Sequence, residues 1–249
     1  MVGHALVVGF TGPPGAGKSR LRHEFLRRVE KRSEPSTLLL GRGDVMSAGA
    51  PYGILRSAIH KLCGITGSEP LELQRERLRV RVAQNLAFEV AEQMVPFLGE
   101  LCSIPFPDST RLRAARQDPR IMSDQVTRAF QDFLRCECEQ RPVLLVLEDL
   151  HWGDPLTVKL IDLTLRELAE LPFMVLALAR PEVDELFPRL WADRSRLDIR
   201  LAGLSKKVAE RLVQQALDNK VTPQEMAHIV AQAGGNALYL EELIRAFTE

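Results

Sequence analysis

Apolar residues along this chain gather into two kinds of pattern. Short unbroken runs occur at "ALVVGFTG" (Ala5–Gly12), "STLLLGRGD" (Ser36–Asp44), "PVLLVLEDL" (Pro142–Leu150) and "PFMVLALARPE" (Pro172–Glu182), with "RLDIRLAGL" (Arg196–Leu204) as a plausible last strand. Runs that do not alternate with polar residues are what strands covered on both faces require. Between them lie amphipathic helical patterns: "SRLRHEFLRRVEKR" after the first run, "DPLTVKLIDLTLRELAE" after the third, and "SKKVAERLVQQAL" onward to the end. A mainly helical stretch fills about 52–140, with expected breaks at Gly64–Gly67, Pro96, Gly99 and "SIPFPDS". Strands alternating with helices predict a doubly wound, mostly parallel α/β sheet of five strands. The expected organisation is a core over 1–203, with the helical insertion inside it, and a helical lid over 204–249. Asp154-Pro155, Ser205 and Thr222-Pro223 read as helix starts, since a short polar side chain can cap the first amides and proline suits the first turn.

Composition narrows this picture only a little. The 249 residues carry 33 basic and 33 acidic side chains, giving a formal net charge of zero. That balance supplies no global attraction to nucleic acid or acidic membranes, so neither is expected as a partner. The Arg-rich segments "RERLRVR" (Arg75–Arg81) and "RLRAARQDPR" (Arg111–Arg120) have apolar residues between their charges and read as solvated helix faces. Cys136 and Cys138 fall on a helical pattern where their thiols point roughly 200° apart. With Cys63 and Cys102 they lack zinc spacing and read as reduced cysteines. No leader pattern precedes the first strand and no apolar run approaches a membrane span, so a cytoplasmic setting is expected.

The chemistry is concentrated in two places. Gly12-Pro13-Pro14-Gly15-Ala16-Gly17-Lys18-Ser19 fits G-x-x-x-x-G-K-[ST] at every fixed position. Glycines let such a loop turn its amides inward onto phosphate at a helix N-terminus. Lys18 is then expected on the β- and γ-phosphates of ATP, Ser19 on Mg²⁺, and Arg20 follows at the start of the helix. The loop lies between a strand and an amphipathic helix, as the motif requires.

The second place is Glu148-Asp149, at the C-terminal end of an apolar strand, where ligands bind in parallel sheets. The expected division is Glu148 in the metal shell and Asp149 orienting the attacking water, with slow hydrolysis because the water-positioning acid is the shorter one. Arg180 closes the next strand and suits the sensing of a terminal phosphate through forked hydrogen bonds. His151 reads as a polar link from the acids and Trp152 as packing.

Taken in order, "GPPGAGKSRL", "VLLVLEDLHWGDP", "VLALARPE", "LAGLS" and "AGGNALYLEELIRA" resemble the ATPase module of the signal-transduction ATPases with numerous domains, which are related to the AAA+ proteins. The likeness is strongest to the module of large bacterial regulators that also carry a Ser/Thr protein kinase or another effector and helical repeats. It extends to "GRGDVMSAGAPYGILRSAI" and covers nearly the whole chain. The resemblance implies a sheet order of 5-1-4-3-2, with the Arg180 strand between the two motif strands. It makes Arg180 the first sensor and "GGNALYLEEL" the lid segment, with Asn236 and Tyr239 as candidates for base contact. Relatives often have proline where Ala237 stands. It further implies an ATP/ADP switch controlling a linked effector, sensor domains elsewhere in a longer polypeptide, and compatibility with a nucleotide-dependent homo-oligomer. Three other readings stay open: a small-molecule kinase with an acceptor pocket, a DNA-associated AAA+ ATPase with salt-dependent binding, and a nucleotide-binding module that no longer hydrolyses.

Overall fold

The computed structural model describes residues 4–32, 34–217 and 221–248. The apolar runs form β1 (Leu6–Thr11), β2 (Thr37–Arg42), β3 (Val143–Glu148), β4 (Phe173–Ala179) and β5 (Arg196–Arg200). They make one five-stranded sheet in the order β2-β3-β4-β1-β5, which is 5-1-4-3-2 read from the other edge. β4 therefore separates the phosphate-loop strand from the acid-motif strand. β2 and β3 pair in parallel, as do β3 and β4, and the register sets Arg42 opposite Glu148. Val143 to Leu147 are all buried, as an unbroken apolar run in a sheet covered on both faces must be.

The helices are α1 (Lys18–Glu30), α2 (Gly53–Cys63), α3 (Leu71–Ala83), α4 (Phe88–Cys102), α5 (Thr110–Gln117), α6 (Pro119–Gln140), α7 (Pro155–Glu167), α8 (Val183–Leu186), α9 (Lys206–Ala216), α10 (Pro223–Ala233) and α11 (Ala237–Thr248). The chain is a doubly wound P-loop sheet with a C-terminal helical region. By its internal contacts it divides into two compact units, Met1–Gly9 with Arg32–Leu197, and Phe10–Lys31 with Asp198–Glu249.

The first unit holds most of the core, built on β2, β3 and β4 and on α2 to α7. Its helical insertion departs from the sequence reading in two respects. α4 runs through Pro96 and Gly99 without a break. Pro96 forfeits only the amide bond to the preceding turn, and Met94, Val95, Phe97 and Leu98 around it are all buried, which offsets that loss. Gly99 is there for close approach: a Cβ would lie 2.5 Å from the Phe106 ring and 2.6 Å from the Ile104 carbonyl. The Arg-rich segments, too, are not simply solvated faces. In α3, Arg75 binds Glu72 and the Pro105 carbonyl, Arg77 binds Glu69, and Arg81 binds Glu137. Arg116 of α5 joins Glu100 and Asp108. These arginines tie the insertion together.

The second unit combines the phosphate loop and α1 with the last three residues of β5 and α9 to α11. Its small core is Ala209, Val213, Leu217, Ile229, Val230, Ala233 and Leu240. Ser205 caps α9 by accepting from the Val208 amide at 3.4 Å. Thr222 and Glu225 form a reciprocal capping box at the start of α10. In the first unit, Asp154 caps α7 by accepting from the Thr157 amide and hydroxyl at 3.0 and 2.6 Å.

Candidate nucleotide site

The phosphate loop leaves β1 at Gly12, whose missing side chain is required: a Cβ would stand 2.6 Å from the Leu201 carbonyl oxygen. Gly15 and Gly17 then adopt φ of +75° and +88°, the left-handed region where glycine carries no steric cost. Gly17 starts α1, and no side chain caps that helix end. Its first amides are thus the kind of donor set that a polyanion satisfies. Lys18 Nζ donates to the carbonyls of Gly12 at 2.6 Å and Pro13 at 2.9 Å, which holds the ammonium within the turn of the loop. Pro14 is exposed, Ala16 half-buried, and Ser19 and Arg20 lie exposed on the first turn of α1. Positive-φ glycines, an uncapped helix start and an inward ammonium fit a nucleoside triphosphate.

The lid segment meets this loop within the same unit. The Ala237 amide donates to the Gly15 carbonyl at 2.9 Å. A Cβ on Gly15 would fall 1.9 Å from Asn236 Oδ1, so the asparagine side chain lies directly over that glycine. Asn236 Oδ1 also accepts from the Leu238 and Tyr239 amides, both at 3.1 Å, and thereby caps α11. Gly234 and Gly235, at φ of +55° and +81°, turn the chain into this position. Alanine rather than proline at 237 makes the bond to Gly15 possible, because proline has no amide hydrogen to give.

The acid motif belongs to the first unit. Glu148 ends β3 and Asp149 follows at φ 52°, left-handed for a non-glycine residue. Both are half-buried. Arg42, the last residue of β2, donates from Nε to Asp149 Oδ2 at 3.2 Å. The segment beside it fits because Gly43 has no side chain: a Cβ there would stand 2.5 Å from the Asp149 carbonyl. The Gly43 amide donates to the Glu148 carbonyl at 2.8 Å. His151 is buried, and its Nδ1 accepts from the Arg180 amide at 3.4 Å, linking the acid turn to the end of β4. Trp152 stacks obliquely on His151, with ring centroids 5.0 Å apart.

Glu148, Asp149 and Arg180 thus share one unit, and Gly12 to Arg20 share the other with Asn236. Sequence reasoning missed Arg42, although glycines on both sides of an arginine at a strand end are a legible sign of close approach. It also missed the pairing of Asn236 with Gly15. Among the described residues no three His, Cys, Asp or Glu side chains cluster closely enough to cage a metal ion. A hollow lined by Ser57, His60, Lys61, Gly64, Ile65 and Thr66 shares no residue with either motif.

Comparison with known proteins fits this geometry. The family model described as AAA ATPase domain matches residues 3–176, which takes in the loop, both acids and most of β4. An uncharacterized protein of Rhizobium meliloti is 25% identical over 181 residues, covering 73% of this chain and 17% of that protein. The solved structure of the Aeropyrum pernix ORC1 protein in complex with DNA is similar over 96% of this chain and 51% of that one, at 14% identity and a TM-score of 0.50. A signal transduction ATPase with numerous domains from Pyrococcus horikoshii, with a tetratricopeptide repeat sensor, covers 96% of this chain and 27% of that one, at 14% identity and a TM-score of 0.38. That score is too low to bear on function. The chain spans about half or less of the length of each of these proteins.

One expectation is corrected by these findings. Nucleic acid was not expected as a partner, yet a solved structure that shares this fold is a complex with DNA. Zero net charge is a sum over the whole chain, whereas attraction to a polyanion depends on how charge is distributed locally. Among the described residues no helix is long and apolar enough to cross a membrane. With the phosphate loop at the end of β1, the acid pair at the end of β3 and a family match over most of the length, the chain belongs to the AAA ATPase domain family.

Proposed function

We propose that this chain is the ATP-binding and ATP-hydrolysing switch of a longer, DNA-associated AAA ATPase. The observation that carries the nucleotide part is the closure of the loop by the lid: Lys18 held at the Gly12 and Pro13 carbonyls, with Ala237 donating to Gly15 from the lid segment. Amides of Gly15 to Ser19 and the Lys18 ammonium bind the β- and γ-phosphates. Ser19 and Glu148 would hold Mg²⁺, whose charge offsets that of the phosphate oxygens. Asp149 orients the water that attacks the γ-phosphorus, breaking its bond to the bridging oxygen and releasing ADP and phosphate. Arg180 reads the γ-phosphate, so triphosphate and diphosphate states differ in contacts, which is what a ligand-driven switch requires. Asn236 and Tyr239 of the lid segment are the candidates for contact with the nucleoside.

The DNA-associated output is supported by the protein–DNA complex that shares this fold. A second reading, control of a linked Ser/Thr kinase or other effector in a signalling regulator, is supported by the ordered motifs from "GPPGAGKSRL" to "AGGNALYLEELIRA". Equilibrium binding of ATP and ADP with Mg²⁺, and phosphate release with and without duplex DNA, test both. Lys18→Ala is expected to lose triphosphate affinity at least tenfold, and Asp149→Ala to keep affinity while losing phosphate release on the order of a hundredfold. Unchanged release in Asp149→Ala removes that residue from the water-orienting role. Release that ignores DNA favours the signalling reading.

A further inference from the structure

Helix α1 carries a charge distribution that the nucleotide does not use. Over 18–32 there are seven Lys and Arg against two Glu, in a chain of zero formal net charge. At 100° per residue, Arg20, His23, Arg27 and Lys31 fall within an arc of about 80°. All four are exposed, and so is Arg28 beside them. Lys31 continues the helical conformation as the C-cap residue. Glu24 and the exposed Glu30 flank the stripe, each about 20° outside the arc, and Glu24 accepts from Arg27 Nη2 at 2.6 Å and Arg28 Nε at 3.3 Å. One carboxylate therefore holds two guanidinium groups side by side and leaves the group net positive.

We infer that this face of α1 docks on the phosphate backbone of duplex DNA, an inference that rests on the DNA-associated reading above. From Arg20 to Lys31 the stripe is about 16 Å long, matching the rise of about five base pairs. Straight helices with regularly spaced cations suit a rigid double helix whose phosphates repeat along it. A single strand is a poorer fit, since it is gripped by stacked aromatic side chains, and the only ring on this face is that of His23. An acidic membrane is a poorer fit as well: surface-lying helices bury an apolar face, whereas Phe25, Leu26 and Val29 are already half-covered. Arginine and lysine contacting phosphate alone give binding without sequence preference and with steep salt dependence.

The test uses the 249-residue chain, a fluorescent duplex of mixed sequence read by anisotropy between 50 and 200 mM salt, and phosphatidylserine vesicles as a second probe. With about four contacts, log K should fall against log salt with a slope of about −3 to −4. The double variant R27Q/K31Q keeps helix propensity and is expected to reduce that slope by about 2 and to weaken binding at least tenfold at 100 mM salt. Its ATP affinity should not change, which controls for folding. E24Q should strengthen DNA binding, a direction that loss of folding cannot mimic. If the chain binds DNA but R27Q/K31Q and E24Q leave affinity and slope as they were, the docking face lies elsewhere and only this inference falls. If the chain does not bind the duplex at 50 mM salt, the DNA-associated reading falls with it. Binding to vesicles but not to DNA overturns the inference in favour of a membrane.

Discussion

Gly15 stands at a position that the phosphate-loop motif leaves open to any residue, yet the tertiary structure admits only glycine. Its φ of +75° disfavours a side chain, as does the +88° of Gly17. Only Gly15 also meets the lid, since a Cβ would overlap Asn236, while one on Gly17 would have nothing within 4 Å. Gly17→Ala is therefore expected to lower stability by about 1–2 kcal/mol, the cost of left-handed backbone. Gly15→Ala should cost more, and should cost less on an Asn236→Ala background than in the wild type, because the two changes act on one contact. Urea unfolding of the wild type, the two glycine variants, Asn236→Ala and the Gly15→Ala/Asn236→Ala double variant measures this; equal losses for the two glycine variants would mean that the Asn236 contact contributes nothing. Ala237 belongs to the same scale: its amide supplies a backbone hydrogen bond from lid to loop, to Gly15.

Helix α6 presents Glu137 between two cysteines, a setting that sequence reading passed over. The side chain is 1% exposed and accepts from Arg81 twice at 2.6 Å, from Asn85 at 2.6 Å and from Thr37 at 2.9 Å, joining α3, α6 and β2. Burial works to raise its pKa, but the Arg81, Thr37 and Asn85 hydrogen bonds outweigh it and hold the carboxyl below its ordinary value. A depressed carboxylate adds stability above the unfolded pKa of about 4.3 and loses it as pH falls through the lower folded value. Glu137→Gln leaves Arg81 buried without its counter-charge and is expected to cost about 3–5 kcal/mol at pH 7. The gap from wild type should narrow at pH 3, which lies below the unfolded pKa, because the unfolded carboxyl is protonated there and the stability tied to the depressed folded value is being lost. Denaturant unfolding at the two pH values checks the sign, and an equal gap at both would show that charge is not what holds these elements together.

On the scale of the whole molecule, the phosphate loop, α1 and the helical region from β5 onward form one unit, separate from the unit of β2 to β4. A ligand that binds only the folded loop stabilises by about 2.7 kcal/mol at a hundred times its dissociation constant. ATP with Mg²⁺ is thus expected to raise the unfolding temperature of the wild type and to raise that of Lys18→Ala by clearly less. Hydrogen exchange should slow first in Phe10–Lys31 and Asp198–Glu249. Slowing restricted to α2 to α6 instead would place the nucleotide away from the loop.

The sequence alone determined whatever depends on neighbours in the chain. Unbroken apolar runs identified β1 to β4, the caps at Asp154, Ser205 and Thr222 marked helix starts, and glycine spacing marked the phosphate loop. The likeness of ordered motifs supplied the strand order. Each of these rests on chemistry within a few residues, so it is written locally. What tertiary structure alone decided are meetings across long stretches of chain: Arg42 with Asp149 across 107 positions, Thr37 with Glu137 across 100, and Asn236 over Gly15. It also decided that α4 continues through Pro96, because burial of the neighbouring side chains outweighs one lost amide bond. Net charge was a poor guide to nucleic acid for a related reason. A sum over all charges does not say where they stand: helical spacing puts Arg20, Arg27 and Lys31 on one side, and only the fold decides that this side is left exposed.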